Sequence, residues 1–355
     1  MKTDHILVIR FSAIGDVAMT VPVVYSLAKQ YPNLRITVLS QKFARPFFEH
    51  MPHNVGFMEA DLKKEYHGVK GLNALYRRLM AKNFTAIADL HSVLRSKYLR
   101  MRFNIDRFNV AHIDKHRSGR RMITSEKDKK LVQLPTSFQN YADVFEKLGY
   151  PIKTEFKSIF QDGGGELSSL PDTFHNKQKD ETWIGVAPFA AHKGKIYPKE
   201  KMEEVLSILS EKYPEGRILL FGGGKKETAV MDEWISRNGK LENASALLNG
   251  FSNELILMSH LDVMISMDSS NMHLASLVGT PVVSIWGATH PFAGFLGWGQ
   301  DMSNVVMLDM PCRPCSIYGN KECIRGNYPC MADIQPQMIT DRIAMQIQKN
   351  KKRTI

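Results

Sequence analysis

Short apolar runs alternate with stretches of helical periodicity from the start of the chain. His5 to Phe11 (HILVIRF) reads as a strand and Ser12 to Asp16 (SAIGD) as a turn into a helix ending near Tyr31. Arg35 to Leu39 and Thr85 to Asp89 read as further strands with a helix between them. Repeated strand–helix alternation specifies a parallel sheet with helices on both faces. The pattern breaks at Asp162-Gly163-Gly164-Gly165 and through the polar stretch from Pro171 to Asp180, which places a domain boundary there. A second series follows: Thr182 to Ala187 as strand, Lys199 to Tyr213 as helix, Arg217 to Phe221 as strand, and a last helix from Pro336 to Lys349. The reading is a domain over residues 1–170, a second over 171–335, and a closing segment, 336–355, that returns to the first domain. Both domains are α/β and doubly wound.

The segment from Val263 to Pro291, VMISMDSSNMHLASLVGTPVVSIWGATHP, carries the sharpest chemistry. Val263 to Ser266 and Val282 to Trp286 read as buried parallel strands. Between them Asp268, Ser269 and Ser270 stand where a helix must begin, and Gly279, Thr280 and Pro281 close it. The first-turn amides and the positive end of such a helix favour an anion above the strand's carboxyl end, most often a phosphate. His273 stays on the first turn and can face the same pocket. Taken singly, these residues are also consistent with a capping acid, two ordinary hydroxyls and a core histidine.

At 355 residues with 43% hydrophobic composition, the chain is globular and long enough for two cores. Met1 to Arg10 enters a strand at once, with no room for a cleavable signal sequence, so a cytoplasmic location is expected. No Asp, Glu, Lys or Arg falls between Asn271 and Gln300, but seven Gly and Pro residues interrupt that stretch, so it reads as helix end, strand and loop rather than a membrane span. The net charge of +11 is concentrated. Between Arg95 and Lys130 twelve basic residues face four acids, a window charge of +8. Such a block is a solvated face or a surface for anionic headgroups and phosphorylated saccharides. Nucleic acid is not expected, since no helix-turn-helix, finger or aromatic-interleaved motif accompanies the charge. Cys312, Cys315, Cys323 and Cys330 are spaced C-x2-C-x7-C-x6-C. In a cytoplasmic chain this leaves reduced thiols packing a loop, the default, or a four-cysteine zinc site, whose second pair lacks the usual long insertion.

The Asp-Ser-Ser…His segment ahead of Gly279-Thr280-Pro281 resembles the donor-binding signature of the bacterial heptosyltransferases, glycosyltransferase family nine. The opening strand with Gly15-Asp16, the group Lys195 with Tyr197-Pro198, and the run RILLFGGGKKE from Arg217 to Glu227 match that family in the same order, across nearly the whole chain. The resemblance implies a GT-B glycosyltransferase: two Rossmann-like parallel-sheet domains facing a cleft, acceptor in the first and nucleotide sugar in the second. It implies transfer of heptose from ADP-L-glycero-D-manno-heptose to the lipopolysaccharide inner core, on a lipid A-core saccharide at the inner face of the inner membrane. By resemblance Asp16 is the general base of an inverting displacement and Lys195 contacts the donor phosphates. Ser12 and Gly15 shape the turn for close approach, Ala190 and Ala191 lie in the donor loop, Glu227 holds the ribose hydroxyls, and Asp268, Ser269, Ser270 and His273 complete the donor site. Arg95, Lys97, Arg100, Arg102 and Arg120 are candidates for the acceptor or membrane surface.

The bland readings are a dipole-stabilising acid for Asp16 and a solvated loop lysine for Lys195. The chain contains no Asp-x-Asp, so the leaving diphosphate is expected to be neutralised by lysine, arginine and helix amides without metal or other cofactor. It departs from the family at Ala190 and Ala191, where several members carry small hydroxyl residues, and at Tyr197, where tryptophan is usual. A different nucleotide sugar or glycolipid acceptor on the same fold, and a non-catalytic glycolipid-binding member, are the alternatives.

Overall fold

In the computed structural model, which describes residues 4–353, the chain divides into two compact units. The first holds a five-stranded, all-parallel sheet of β1 (His5–Ile9), β2 (Arg35–Ser40), β3 (Val55–Glu59), β4 (Ala86–Asp89) and β5 (Asn109–His112) in the order β3-β2-β1-β4-β5. The chain winds outward from β1 to β3 and then returns to place β4 on the other side of β1, pairing Ile9 with Asp89. The winding therefore reverses between β1 and β4, and a crevice opens at their carboxyl ends, where sheets of this kind bind ligands. Every residue of β1 is buried, as a central strand covered on both faces requires. Leu7, Ile9 and Phe11 pack one face with Leu75, Leu79, Leu99 and Phe103.

The helix expected from the opening turn to Tyr31 is two helices, Ile14–Ala18 and Val21–Gln30. Pro22 supplies the reason: it has no N–H to bond back to Ala18, so the first helix ends and the second starts with proline in its first turn.

The second unit holds a six-stranded parallel sheet of β6 (Trp183–Ala187), β7 (Arg217–Leu220), β8 (Leu241–Asn243), β9 (Val263–Met267), β10 (Val282–Ile285) and β11 (Val305–Val306), in the order β11-β10-β9-β6-β7-β8. Its winding reverses between β6 and β9, where Ala187 pairs with Ser266. Two segments sit differently from the sequence reading. His116–Leu134, placed there within the first domain, belongs to the second unit: Ile123 and Leu134 bury against Ala293, and Leu134 N donates to Phe292 O at 2.9 Å. The closing helix, Pro336–Arg353, expected to return to the first domain, packs on the second unit. Its Ile339, Ile343 and Ile347 form a buried stripe in the core beside Val205, Leu209 and Ile285. No helix among the described residues is long and apolar enough to cross a membrane. The uncharged run after Asn271 resolves into the end of an eight-residue helix, β10 and loops.

Candidate active site

The reversal point of each sheet carries a charged pair. In the first unit Arg10 follows β1 directly and is 6% exposed. Its guanidinium donates to Leu90 O at 2.7 Å and reaches Asp16 Oδ2 at 2.7 Å, so it ties the end of β4 to the first turn of helix Ile14–Ala18. Burial works against the charge, yet Tyr141, Asp16 and Asp89 outweigh it and raise the Arg10 pKa. Ala13 N also donates to Asp16 Oδ2, at 3.3 Å. Both contacts fall on one oxygen of a carboxylate whose side chain is one-third exposed, which leaves Oδ1 able to accept a further hydrogen bond. Asp89, fully buried, accepts from His91 N and Ser92 N and pairs with Arg100 at 3.4 Å. His91 receives the Phe11 N–H on Nδ1, and burial followed by the charge of Arg10 lowers its pKa to about 3. It is a neutral ring. Ser12, Phe11, Gln41, Leu62, His91, Leu94 and Arg95 border a cavity of about 320 Å³ at this crevice.

In the second unit Lys195 and Asp268 come from opposite sides of the reversal point. Lys195 lies in the short 3-10 turn Lys193–Lys195 after β6, and Asp268 directly follows β9. Lys195 Nζ sits 2.9 Å from Asp268 Oδ2, which also accepts from Thr289 Oγ1 at 2.8 Å. The carboxylate side chain is 5% exposed and the lysine 16%, so this pair is largely withdrawn from water. One N–H of the ammonium is spent on Asp268; two remain for an anion. Helix Ser270–Leu277 begins beside the pair with Ser269 at its N-cap, and no side chain caps that end. Ser269 Oγ instead lies 3.2 Å from Ser266 Oγ. Asp268 therefore orients the lysine rather than capping the helix.

The cysteine-bearing loop props this pair. Arg313, 5% exposed, donates to Trp286 O at 3.1 Å and Thr289 O at 3.0 Å, and also to the carbonyls of Gly287 and Leu308. It thereby fixes the turn that delivers Thr289 to Asp268. Cys315 N and Ser316 N donate to Ala288 O, and Ala288 N donates to Gly194 O at 2.8 Å. Gly319, in the left-handed region at φ 75°, lies so close to the lysine stem that a Cβ there would stand 2.6 Å from Lys195 Cγ. Cys312, Cys315, Cys323 and Cys330 are free thiols, and burial pushes Cys330 up to about 11. Among the described residues no group of three or more His, Cys, Asp or Glu is placed to hold a metal.

The other expected residues are dispersed. Ala190 is half-buried against the second core and Ala191 is exposed in the loop before Lys195. Glu227 stands in the first turn of helix Gly224–Arg237 and accepts Gly223 N at 2.8 Å. Ser270 is half-buried at the helix start and His273 is buried. Gly15 is buried within the first short helix. Tyr197, in the tryptophan position, is buried and donates to Ile334 O at 2.9 Å. The basic window is split: Arg95, Lys97, Arg100 and Arg102 ride on helix Leu94–Ile105 of the first unit, whereas Arg120 lies in the second and donates to Tyr318 Oη at 2.8 Å. Arg100 and Arg102 turn inward, toward Asp89 and toward Asn73 and the Tyr76 ring; Arg95 and Lys97 remain exposed. Sequence reasoning missed Arg10, Asp89, His91, Thr289 and Arg313. A lone arginine within the apolar run HILVIRF was the available signal for Arg10.

Two doubly wound parallel sheets, each with a reversal point at the carboxyl ends of its strands where such sheets bind ligands, make up the GT-B architecture of glycosyltransferases. Residues 72–325 match the family model described as Glycosyltransferase family 9 (heptosyltransferase), and the chain belongs to that family of glycosyltransferases. It is 21% identical over 337 residues to lipooligosaccharide heptosyltransferase 2 of Campylobacter jejuni, covering 93% of this chain and 95% of that one. Its fold is similar to that of E. coli ADP-heptose LPS heptosyltransferase II, with a TM-score of 0.68 at 18% identity over 98% of this chain and 99% of that one. A family 9 glycosyltransferase from Veillonella parvula gives a TM-score of 0.73 at 17% identity, again over 98% and 99%.

Proposed function

We propose that the enzyme transfers heptose from ADP-L-glycero-D-manno-heptose to the inner core of lipopolysaccharide, by an inverting displacement that uses no metal. The observation that carries this reading is the withdrawn Lys195–Asp268 pair beside the uncapped start of helix Ser270–Leu277. An ammonium held by a buried carboxylate, next to free helix amides, is a diphosphate site built without a metal. The names of the similar proteins, an ADP-heptose LPS heptosyltransferase among them, favour heptose and ADP as donor components. Glu227 is assigned to the ribose hydroxyls, and Ala190 and Ala191 to backbone contacts with the diphosphate.

The acceptor is a lipid A-core saccharide, met at the inner face of the inner membrane. Asp16 Oδ1 takes the proton of its attacking hydroxyl while Arg10 keeps the carboxylate aligned through Oδ2. The hydroxyl oxygen bonds to the anomeric carbon from the face opposite ADP, the bond to the diphosphate oxygen breaks, and Lys195 meets the charge that develops there. Calorimetric titration tests the donor half: ADP should bind the parent protein in EDTA, UDP should bind weakly or not at all, and Lys195→Ala should lose most of the ADP affinity. Equal binding of ADP by parent and variant would remove Lys195 from the donor site.

A further inference from the structure

Helix Leu94–Ile105 contains four basic residues and no acid. Ser96, Leu99 and Phe103 bury its inner face. Its outer face does not present the purely polar surface expected of a solvated helix. Leu94 is 86% exposed, Met101 47% and Ile105 66%. With Lys97 these residues are spaced 3, 4 and 4 apart, which lines them up along one side. The stripe is about 16 Å long at the rise of an α-helix. At its far end Lys97, Arg100, Met101, Asn104 and Ile105 border a shallow open groove. At its near end Leu94 and Arg95 are also walls of the cavity that contains Ser12 and His91. The apolar stripe thus runs out from the mouth of the crevice beside Asp16.

From this we infer that the outer face of helix Leu94–Ile105 lies on an anionic lipid leaflet, with Leu94, Met101 and Ile105 entering the headgroup–acyl boundary and Arg95 and Lys97 on the headgroup phosphates. Exposed apolar side chains flanked by cations, with no acid on the helix, complement such a surface and no ordinary aqueous one. The inference rests on the acceptor reading above and narrows it: of the four basic residues on this helix, Arg100 and Arg102 are engaged with the protein, so the membrane charge is carried by Arg95 and Lys97. A lipid-anchored saccharide rising from the leaflet along this stripe would be led to the cavity by its own anchor.

The test is co-sedimentation of the full-length protein with vesicles of phosphatidylethanolamine and phosphatidylglycerol, and with vesicles of phosphatidylcholine alone. Met101→Ser combined with Ile105→Ser removes apolar surface that is mostly exposed at Ile105 and half exposed at Met101, so it should lower the thermal transition by no more than a few degrees and leave the turnover of a short lipid-free acceptor unchanged. It should weaken binding to the anionic vesicles by about tenfold or more. Lys97→Gln should weaken it too and flatten its dependence on salt. Unchanged vesicle binding by the double variant, equal binding to neutral vesicles, or a dimer of the parent that the double variant abolishes would each overturn the inference. Inactivity toward the soluble acceptor with vesicle binding intact would instead count against the acceptor reading and leave the lipid-facing helix standing.

Discussion

Arg313 is the residue whose removal should connect the cysteine loop to the chemistry. In Arg313→Met the carbonyls of Trp286, Gly287, Thr289 and Leu308 lose their donor together. A buried acceptor left unmade costs about 1–3 kcal/mol, so the gross loss over four is on the order of 4–12 kcal/mol. Against it stands the relief of a buried charge with no carboxylate in contact, worth several kcal/mol; burial is also the main reason the Arg313 pKa is lowered. The net expectation is a destabilisation of about 2–4 kcal/mol, or roughly 5–15 °C in the melting of a domain this size. The consequence for catalysis is specific: Thr289 drifts, Asp268 loses that hydrogen bond, and Lys195 is no longer held at 2.9 Å. The donor KM should rise several-fold while the acceptor KM stays at the parent value. Arg313→Lys keeps the charge but not the planar fork, and should recover part of the stability and part of the donor KM. Thermal unfolding and steady-state kinetics with each substrate varied in turn read both effects. A Met variant that melts with the parent and keeps its donor KM would refute the reasoning.

Asp16→Asn should lower turnover by roughly 10² to 10⁴ fold with ADP affinity nearly unchanged, since Arg10 can still bond the amide oxygen; full activity at saturating acceptor would end its role as base. Lys195→Ala should cost on the order of 10² fold or more in turnover, and chelator should leave the parent enzyme unaffected; loss of activity in EDTA with recovery on adding magnesium would show that a metal carries the charge. The His91 ring, ordinarily near 6.5, sits at about 3 when folded. Below pH 6.5 the unfolded chain therefore binds a proton that the folded chain refuses, and stability falls as pH drops toward 3, by at most about 1.4 kcal/mol per pH unit. Urea unfolding at pH 7 and pH 5 should show His91→Gln with a shallower loss than the parent; equal losses would place the acid sensitivity elsewhere.

The apolar runs at His5, Arg35, Thr85, Thr182, Arg217, Val263 and Val282 announce central strands because both faces of a parallel sheet are covered, and each is a strand in the structure within two residues at either end. The edge and short strands were not legible. β3 is half-exposed along VGFME, and β8 has three residues. The membership of His116–Leu134 in the second unit depends on burying Ile123 and Leu134 on Ala293, a long-range choice that local pattern does not encode. At the site, the acid–hydroxyl turn after β9 could be read directly, but its pairing with Lys195 could not. That contact exists because β9 lies beside β6, a matter of strand order. Arg10 and Arg313 take their roles from partners brought up by the fold: Leu90 O and Asp16 meet Arg10, and the carbonyls of Trp286, Gly287, Thr289 and Leu308 converge on Arg313.

The most direct test of the central claim is product mass spectrometry of the purified protein with a truncated lipopolysaccharide acceptor in EDTA, offering ADP-heptose and, separately, a panel of other ADP- and UDP-sugars. The account predicts an acceptor heavier by one heptosyl unit from ADP-heptose with chelator present, and no comparable product from the UDP-sugars. A product formed only from another nucleotide sugar, or from ADP-heptose only after a divalent metal is restored, would contradict it.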